Sequence, residues 1–298
     1  MRASIDIGSN SILLLIGDFA MGKFTIAVKN AHVTSLGKGI DRTGEFCEQS
    51  MADSFNVLKI YAEQCVLHGI APQNVIVTAT EAARVVSNSR AFFAKIKREL
   101  GLSVQIITGE GEAYYTSLGV IAGSVEHDFT IMDIGGASTE LMCVMASNLS
   151  HSISLPIGCV RATEWAQQGI EDQEIERALK KMDWKKFATP RLVCEAGSMT
   201  SLAAVYLKLR EYSDEKVQGL TLSIDQFEAF SKRINSMTSN ELLSDYPFLG
   251  KRAQVIQAGA RIALRLCQNL GVRELEVSTY GLRYGTLKEG MIQEKFLA

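Results

Sequence analysis

The chain has 298 residues, 47% of them apolar, and a formal net charge of −2. That length suggests about two domains with sizeable cores, and the charge balance advertises no broad nucleic-acid-binding face. No apolar run approaches the ~18 residues of a membrane span, so neither nucleic acid nor a membrane is an expected partner.

Taken in chain order, residues 4–19 and about 23–35 read as strands of a meander, and the chain opens on a strand rather than on a signal peptide. A helix is predicted at about 49–68, with Met51, Phe55, Leu58, Ala62 and Cys65 on one face and Gly69 as its stop. "NVIVTAT" (74–80) reads as a buried strand, 89–101 as an amphipathic helix, 103–108 as a strand and 110–123 as a further helix. The pattern then restarts. Residues 129–145 are again strand, turn, strand. Two more strand-like pieces, 149–158 and 190–197, alternate with helices near 159–168, 171–187 and 198–211. Helices near 223–237 and 250–270, a strand at 274–279 and a terminal helix from about 283 complete the chain. This alternation predicts an α/β protein with mixed sheets flanked by helices. The linker-like stretch "GSVEHD" (123–128) places a domain boundary between the two copies.

The restart is an internal repeat, "IDIGSNS" against "MDIGGAS", with Asp6 and Asp133 lying 127 residues apart. Two α/β units facing each other across a cleft are the expected arrangement. A single Asp-Ile-Gly turn is well explained as an ordinary hairpin, but its recurrence at domain-scale separation favours a function. Small residues let successive backbone N–H groups approach phosphate oxygens, and Ser9, Asn10, Ser11, Ser138 and Thr139 add side-chain donors. Neither turn is a Walker loop or a dinucleotide fingerprint, because a strand follows each. A carboxylate beside a phosphate requires a cation between them. Mg²⁺ is typically held by one or two carboxylates plus the phosphate, so Asp6, Asp133 and Glu140 are candidate ligands.

The six cysteines show no CxxC spacing, so neither a disulfide framework nor thiolate metal sites are expected, and the usage suits a reducing cytoplasm. His32, His68, His127 and His151 share no ligand spacing and read as surface or structural groups. "KKMDWKKF" (180–187) reads as a solvated basic helix end rather than a polyanion contact.

"IDIGSNS", "MDIGGASTEL" and "CEAGSMTSLAA" resemble the phosphate and nucleoside-side motifs of the actin-like, sugar-kinase and heat-shock-ATPase superfamily. More narrowly, the chain resembles the exopolyphosphatase / guanosine pentaphosphate phosphohydrolase (Ppx/GppA) family. "VTATEAAR" (77–84), "ITGEGEAYYTSLGV" (107–120), "LPIGCVRATE" (155–164) and "VSTYGLRYGTL" (277–287) carry the likeness in order along the chain. The resemblance implies two actin-like (ribonuclease H-like) domains with the site between them, in the short two-domain form. Domain I is then expected at 1–123 and domain II at 124–283, with the helix from 284 to 298 packing back on domain I.

The resemblance also implies roles. Glu112 matches the glutamate that activates the attacking water, and Arg84 an arginine that contacts substrate phosphate. Asp133 and Glu140 match carboxylates associated with Mg²⁺. Ser9, Asn10 and Ser11 match the first phosphate loop, and Gly135, Gly136, Ser138 and Thr139 the second. Gly197 and Ser198 fall where the superfamily approaches the nucleoside or further phosphates. Three positions depart from the pattern: Gly111 replaces a glutamate, Ala137 a glycine, and Glu81 a serine. An alanine is tolerated at 137 only if its φ is negative.

The expectation is a cytoplasmic, Mg²⁺-dependent hydrolase acting on inorganic polyphosphate, guanosine pentaphosphate, or both. A phosphotransferase or ATPase of the same superfamily, and a weakly active or non-catalytic alarmone sensor, are the alternatives. A homodimer is a reasonable expectation for the assembly.

Overall fold

The computed structural model describes residues 1–124, 126–180 and 182–298. The linker-like stretch 123–128 and the basic segment 180–187 thus each contain one residue, 125 and 181 respectively, that lies outside the described residues. Two compact units emerge: residues 1–122 together with 280–298, and residues 123–279. No helix among the described residues is long and apolar enough to cross a membrane.

The first unit is built on a five-stranded sheet. Strands β1 (Arg2–Ile7), β2 (Ser11–Ala20) and β3 (Lys23–Val33) form the antiparallel meander. Strands β4 (Ile76–Ala79) and β5 (Val104–Ile106) add to β1 in parallel, giving the order β3-β2-β1-β4-β5. The apolar run of β2 has a simple cause: both its faces are covered. Ile12, Leu14 and Ile16 join the core that includes Leu58, Tyr61 and Cys65 of the Glu48–Leu67 helix. Leu15 points the other way, onto Tyr284 and Leu287 of the Leu282–Glu289 helix. Each such fully buried side chain contributes on the order of 2 kcal/mol.

That last helix is fixed to the sheet by polar contacts as well. Ser4 and Thr286 hydroxyls meet at 2.7 Å in the buried interior, and Arg283 donates to Leu14 O at 2.9 Å. Gly119 and Gly285 let the Gly109–Gly123 and Leu282–Glu289 helices touch backbone to backbone. A Cβ on Gly285 would collide with Tyr115 O, and one on Gly119 with Gly281 O.

The second unit repeats the scheme. Strands β6 (Phe129–Ile134), β7 (Thr139–Met145) and β8 (Asn148–Leu155) form an antiparallel meander. Strand β9 (Leu192–Glu195) pairs with β6 in parallel. Strand β10 (Thr221–Ser223) then forms an antiparallel edge on β11 (Glu274–Val277), which itself runs parallel to β9. The order is β10-β11-β9-β6-β7-β8. Omitting β10, it is the order of the first sheet read in the opposite direction.

Several elements differ from the sequence reading. The helix expected over 171–187 ends at Leu179, and Trp184–Phe187 forms a separate short turn of 3₁₀ helix after Asp183 leaves helical geometry at ψ 84°. The helix expected from 250 begins only at Ile256, because Gly250 sits at φ 50°, ψ −129° and breaks the preceding Pro247–Gln254 segment. The terminal helix stops at Glu289, where Gly290 takes the left-handed conformation, φ 85°, that a C-terminal cap favours. The chain beyond it turns back. Leu297 bridges to Ile107, and Ala298 N donates to Ile106 O at 2.9 Å, so the free edge of β5 is covered.

Candidate active site

Each unit presents one Asp-Ile-Gly turn, and the two turns close alike. Gly8 N donates to Ser11 O at 3.0 Å, and Gly135 N to Ser138 O at 2.9 Å. In both, a Cβ added to the glycine would stand close to the closing carbonyl, at 3.3 Å and 3.2 Å respectively. In both, loop carbonyls accept amides from the protein. Asn10 O receives Thr34 N and Ser35 N at 3.0 Å each, and Ser9 O receives Gly37 N at 2.6 Å. Gly135 O receives Cys159 N, and Gly136 O receives Val160 N, both at 2.9 Å. Carbonyls tied to the scaffold leave a loop suited to presenting donors rather than acceptors to an anion. Ser9, Asn10 and Ser11 therefore belong to the first unit's loop, and Gly135, Gly136 and Ser138 to the second's.

Thr139 follows the second loop at the start of β7; it is fully buried, and its hydroxyl donates to Ile157 O at 2.5 Å. Ala137 raises no strain, because it is not among the positive-φ residues. Its carbonyl accepts Arg161 Nη1 at 2.7 Å.

The carboxylates are unequally distributed. In the second unit Asp133 lies directly opposite Glu140 on β7 and level with Glu195 on β9. Side chains at paired positions share a sheet face, so three acidic residues stand abreast. The corresponding row in the first unit is Leu13, Asp6 and Thr78. Glu140 is 3% exposed and accepts the Ser154 hydroxyl at 2.7 Å. Adjacent like charges are destabilising unless a cation is present. Among the described residues no three His, Cys, Asp or Glu groups converge as a ready-made metal cage. The oxygen donors fit Mg²⁺, which commonly takes one or two carboxylates and completes its shell with water and substrate phosphate.

Glu112 and Arg84 come together in the first unit. Glu112 sits in the first turn of the Gly109–Gly123 helix, where the dipole favours a carboxylate. Arg84, from the short Glu81–Val85 helix, donates to Glu112 Oε2 at 3.1 Å and to Ile107 O at 2.6 Å. The pair is largely shielded, with side chains 19% and 12% exposed. Glu81 begins the same helix, and its Oε2 is buried with no hydrogen-bonding partner.

Gly197 and Ser198 open the Ala196–Tyr206 helix in the second unit. A Cβ on Gly197 would meet the Arg252 guanidinium at 2.7 Å, so glycine allows that cation to lie against the turn. Ser198 Oγ donates to Cys159 Sγ at 3.6 Å. Burial raises the pKa of the Cys159 thiol, which keeps it neutral and rules it a poor nucleophile. Arg252 and Glu195 escaped sequence reasoning. Nothing around "FLGKRAQV" signals an arginine lying against the Gly197 turn, whereas Glu195 ends the strand that immediately precedes that turn and could have been singled out on that ground.

Against known proteins, residues 15–294 match the Ppx/GppA phosphatase family. Exopolyphosphatase 2 of Mycobacterium tuberculosis is 30% identical over 311 aligned residues, covering 95% of this chain and 96% of that protein. The solved Ppx/GppA enzyme of Aquifex aeolicus superposes with a TM-score of 0.79 at 32% identity, covering 96% of this chain and 98% of that one. An exopolyphosphatase from Cytophaga hutchinsonii, at 24% identity and TM-score 0.79 over 97% and 98% of the two chains, shares the fold. The fold and the paired turns define an actin-like phosphate-handling protein, and the chain belongs to the Ppx/GppA phosphatase family. It is accordingly read as a hydrolase.

Proposed function

We propose that the chain is a Mg²⁺-dependent exopolyphosphatase that removes terminal phosphate from inorganic polyphosphate, with guanosine pentaphosphate as a second candidate substrate. The observation that carries this reading is the shielded Arg84–Glu112 pair at the start of a helix. Phosphoanhydride hydrolysis is mostly positioning and charge stabilisation, and it needs a base to orient water beside a cation for the phosphoryl oxygens. Glu112 accepts the proton of the attacking water. That oxygen bonds to the terminal phosphorus as the bridging P–O bond breaks, and the chain leaves one phosphate shorter. Arg84 binds the phosphoryl oxygens, and the loops at 8–11 and 135–138 each offer backbone and hydroxyl donors suited to phosphate. Asp133 and Glu140 would hold the Mg²⁺, which when bound neutralises phosphate charge. The Gly197–Ser198 turn with Arg252 is assigned to phosphates farther along the chain.

The Mycobacterium tuberculosis relative supports polyphosphate as the substrate. A sensor that binds an alarmone without hydrolysing it keeps one observation in its favour, the orphaned Glu81 Oε2 three residues before Arg84, whose charge competes with phosphate. Phosphate release with polyphosphate and with guanosine pentaphosphate, before and after chelation, tests the proposal. The expected result is release from polyphosphate that chelator abolishes and Mg²⁺ restores. Binding of guanosine pentaphosphate with no phosphate released from either compound would replace this reading with the sensor.

A further inference from the structure

We propose that the segment Gln293–Ala298 is a positioning clamp for the Arg84–Glu112 pair, with Phe296 its central residue. The inference rests on the hydrolase reading and assigns that site a part of the chain to which the site motifs do not extend.

Residues 106–108 are the common anchor of the pair. Ile107 O holds Arg84 Nη1 at 2.6 Å. Thr108 starts the helix that carries Glu112: its carbonyl accepts Glu112 N at 2.9 Å, and its hydroxyl accepts Gly111 N at 3.1 Å. The clamp grips this anchor from its other side. Thr108 N donates to Phe296 O at 2.8 Å, Leu297 bridges to Ile107, and Ala298 N donates to Ile106 O at 2.9 Å. A second hold lies one turn along the helix, where Tyr115 Oη accepts Gln293 N at 2.9 Å and donates to Met291 O at 3.2 Å.

Phe296 and Gly111 specify one another. A Cβ on Gly111 would stand 2.7 Å from Phe296 Cβ, so the helix is glycine where the aromatic side chain lies on it. The ring is buried against Tyr114 and Tyr115, with centroids 4.9 and 5.7 Å away. This accounts for the departure at 111 noted from the sequence: the space a larger side chain would fill is occupied by Phe296. The helix is thereby fixed at the residue next to Glu112, while Arg84 contacts Glu112 itself. A catalytic group displaced by about 1 Å loses up to roughly a hundredfold in rate, so a clamp on the anchor acts on turnover more than on binding.

The test compares wild type, Phe296→Ala, Phe296→Leu and a chain truncated after Ile292. It measures kcat and KM for polyphosphate with Mg²⁺ and amide hydrogen exchange over residues 106–115. For Phe296→Ala and the truncation we expect kcat to fall roughly 10- to 100-fold, KM to stay within about twofold, and exchange at Gly111 and Glu112 to accelerate. Phe296→Leu, which keeps an apolar filler, should recover most of the rate. Unchanged exchange and unchanged kcat in the truncated chain would overturn the clamp, as would a loss spread over exchange throughout the first unit with no recovery in Phe296→Leu. Exchange needs no substrate. A wild-type protein that releases no phosphate yet shows the local acceleration would therefore sink the hydrolase reading while leaving the clamp on the Glu112 helix standing.

Discussion

Single residues decide how the turns are built. Ala196 joins β9 to the Ala196–Tyr206 helix at φ 69°, the left-handed region that disfavours a side chain. Holding an alanine there costs roughly 1–2 kcal/mol, against about 0.5–1 kcal/mol of added flexibility for glycine. Ala196→Gly is expected to raise the urea midpoint, equivalent to about 0.5–1 kcal/mol of stability, with the m-value unchanged. A lower midpoint would show that the strain is not real. The strained residue lies beside Gly197, against which the Arg252 guanidinium rests. The strain was not legible in "CEAGS", because an alanine at that place says nothing of its φ. The converse holds at 137, where the sequence raised a concern about a lost glycine and the backbone removes it. Thr139 shows a third case. Its residue type suits a phosphate donor, and the structure adds what the sequence could not, a buried hydroxyl bonded to the Ile157 carbonyl.

At the scale of elements, packing overrides periodicity at the ends of helices. The pattern of apolar residues located most helices and strands: the Glu48–Leu67 helix buries Leu58, Ala62 and Cys65 of its marked face and packs Met51 and Phe55 half-buried against the same core. It ran through Asp183 and Gly250, where the backbone leaves helical geometry without any loss of apolar spacing. It also passed over the short Glu81–Val85 and Ser239–Asp245 helices, too brief to show a period. The first of these carries Arg84, whose proposed contact with phosphate is implied by resemblance rather than by pattern. The second Asp-Ile-Gly turn depends on another element contact. Gly158 begins the turn into the Cys159–Gln167 helix directly against the Gly136–Ala137 peptide, and any Cβ there would collide with it. Gly158→Ala is expected to destabilise the protein by about 1–3 kcal/mol through overpacking. It should weaken phosphate release more than Gly169→Ala, where a φ of 71° strains the alanine but nothing lies within reach of its Cβ. Equal stability of Gly158→Ala and wild type would contradict the contact.

At the scale of the whole molecule, one sheet order serves twice, and the sequence announced it through two Asp-Ile-Gly turns of like spacing from their strands. The copies have diverged in chemistry rather than topology. One unit carries the ion-paired glutamate, the other a row of three carboxylates on adjacent strands. What the repeat could not disclose was the return of residues 291–298 to the edge of β5, since that contact joins segments nearly two hundred residues apart, such as Thr108 and Phe296. The account stands on Glu112 as the group that orients water. The direct measurement is steady-state phosphate release from polyphosphate with Mg²⁺ by wild type and by Glu112→Gln, both verified as folded. The account predicts a kcat at least about a hundredfold lower in the variant, the lower range for general-base catalysis. Equal rates would contradict it.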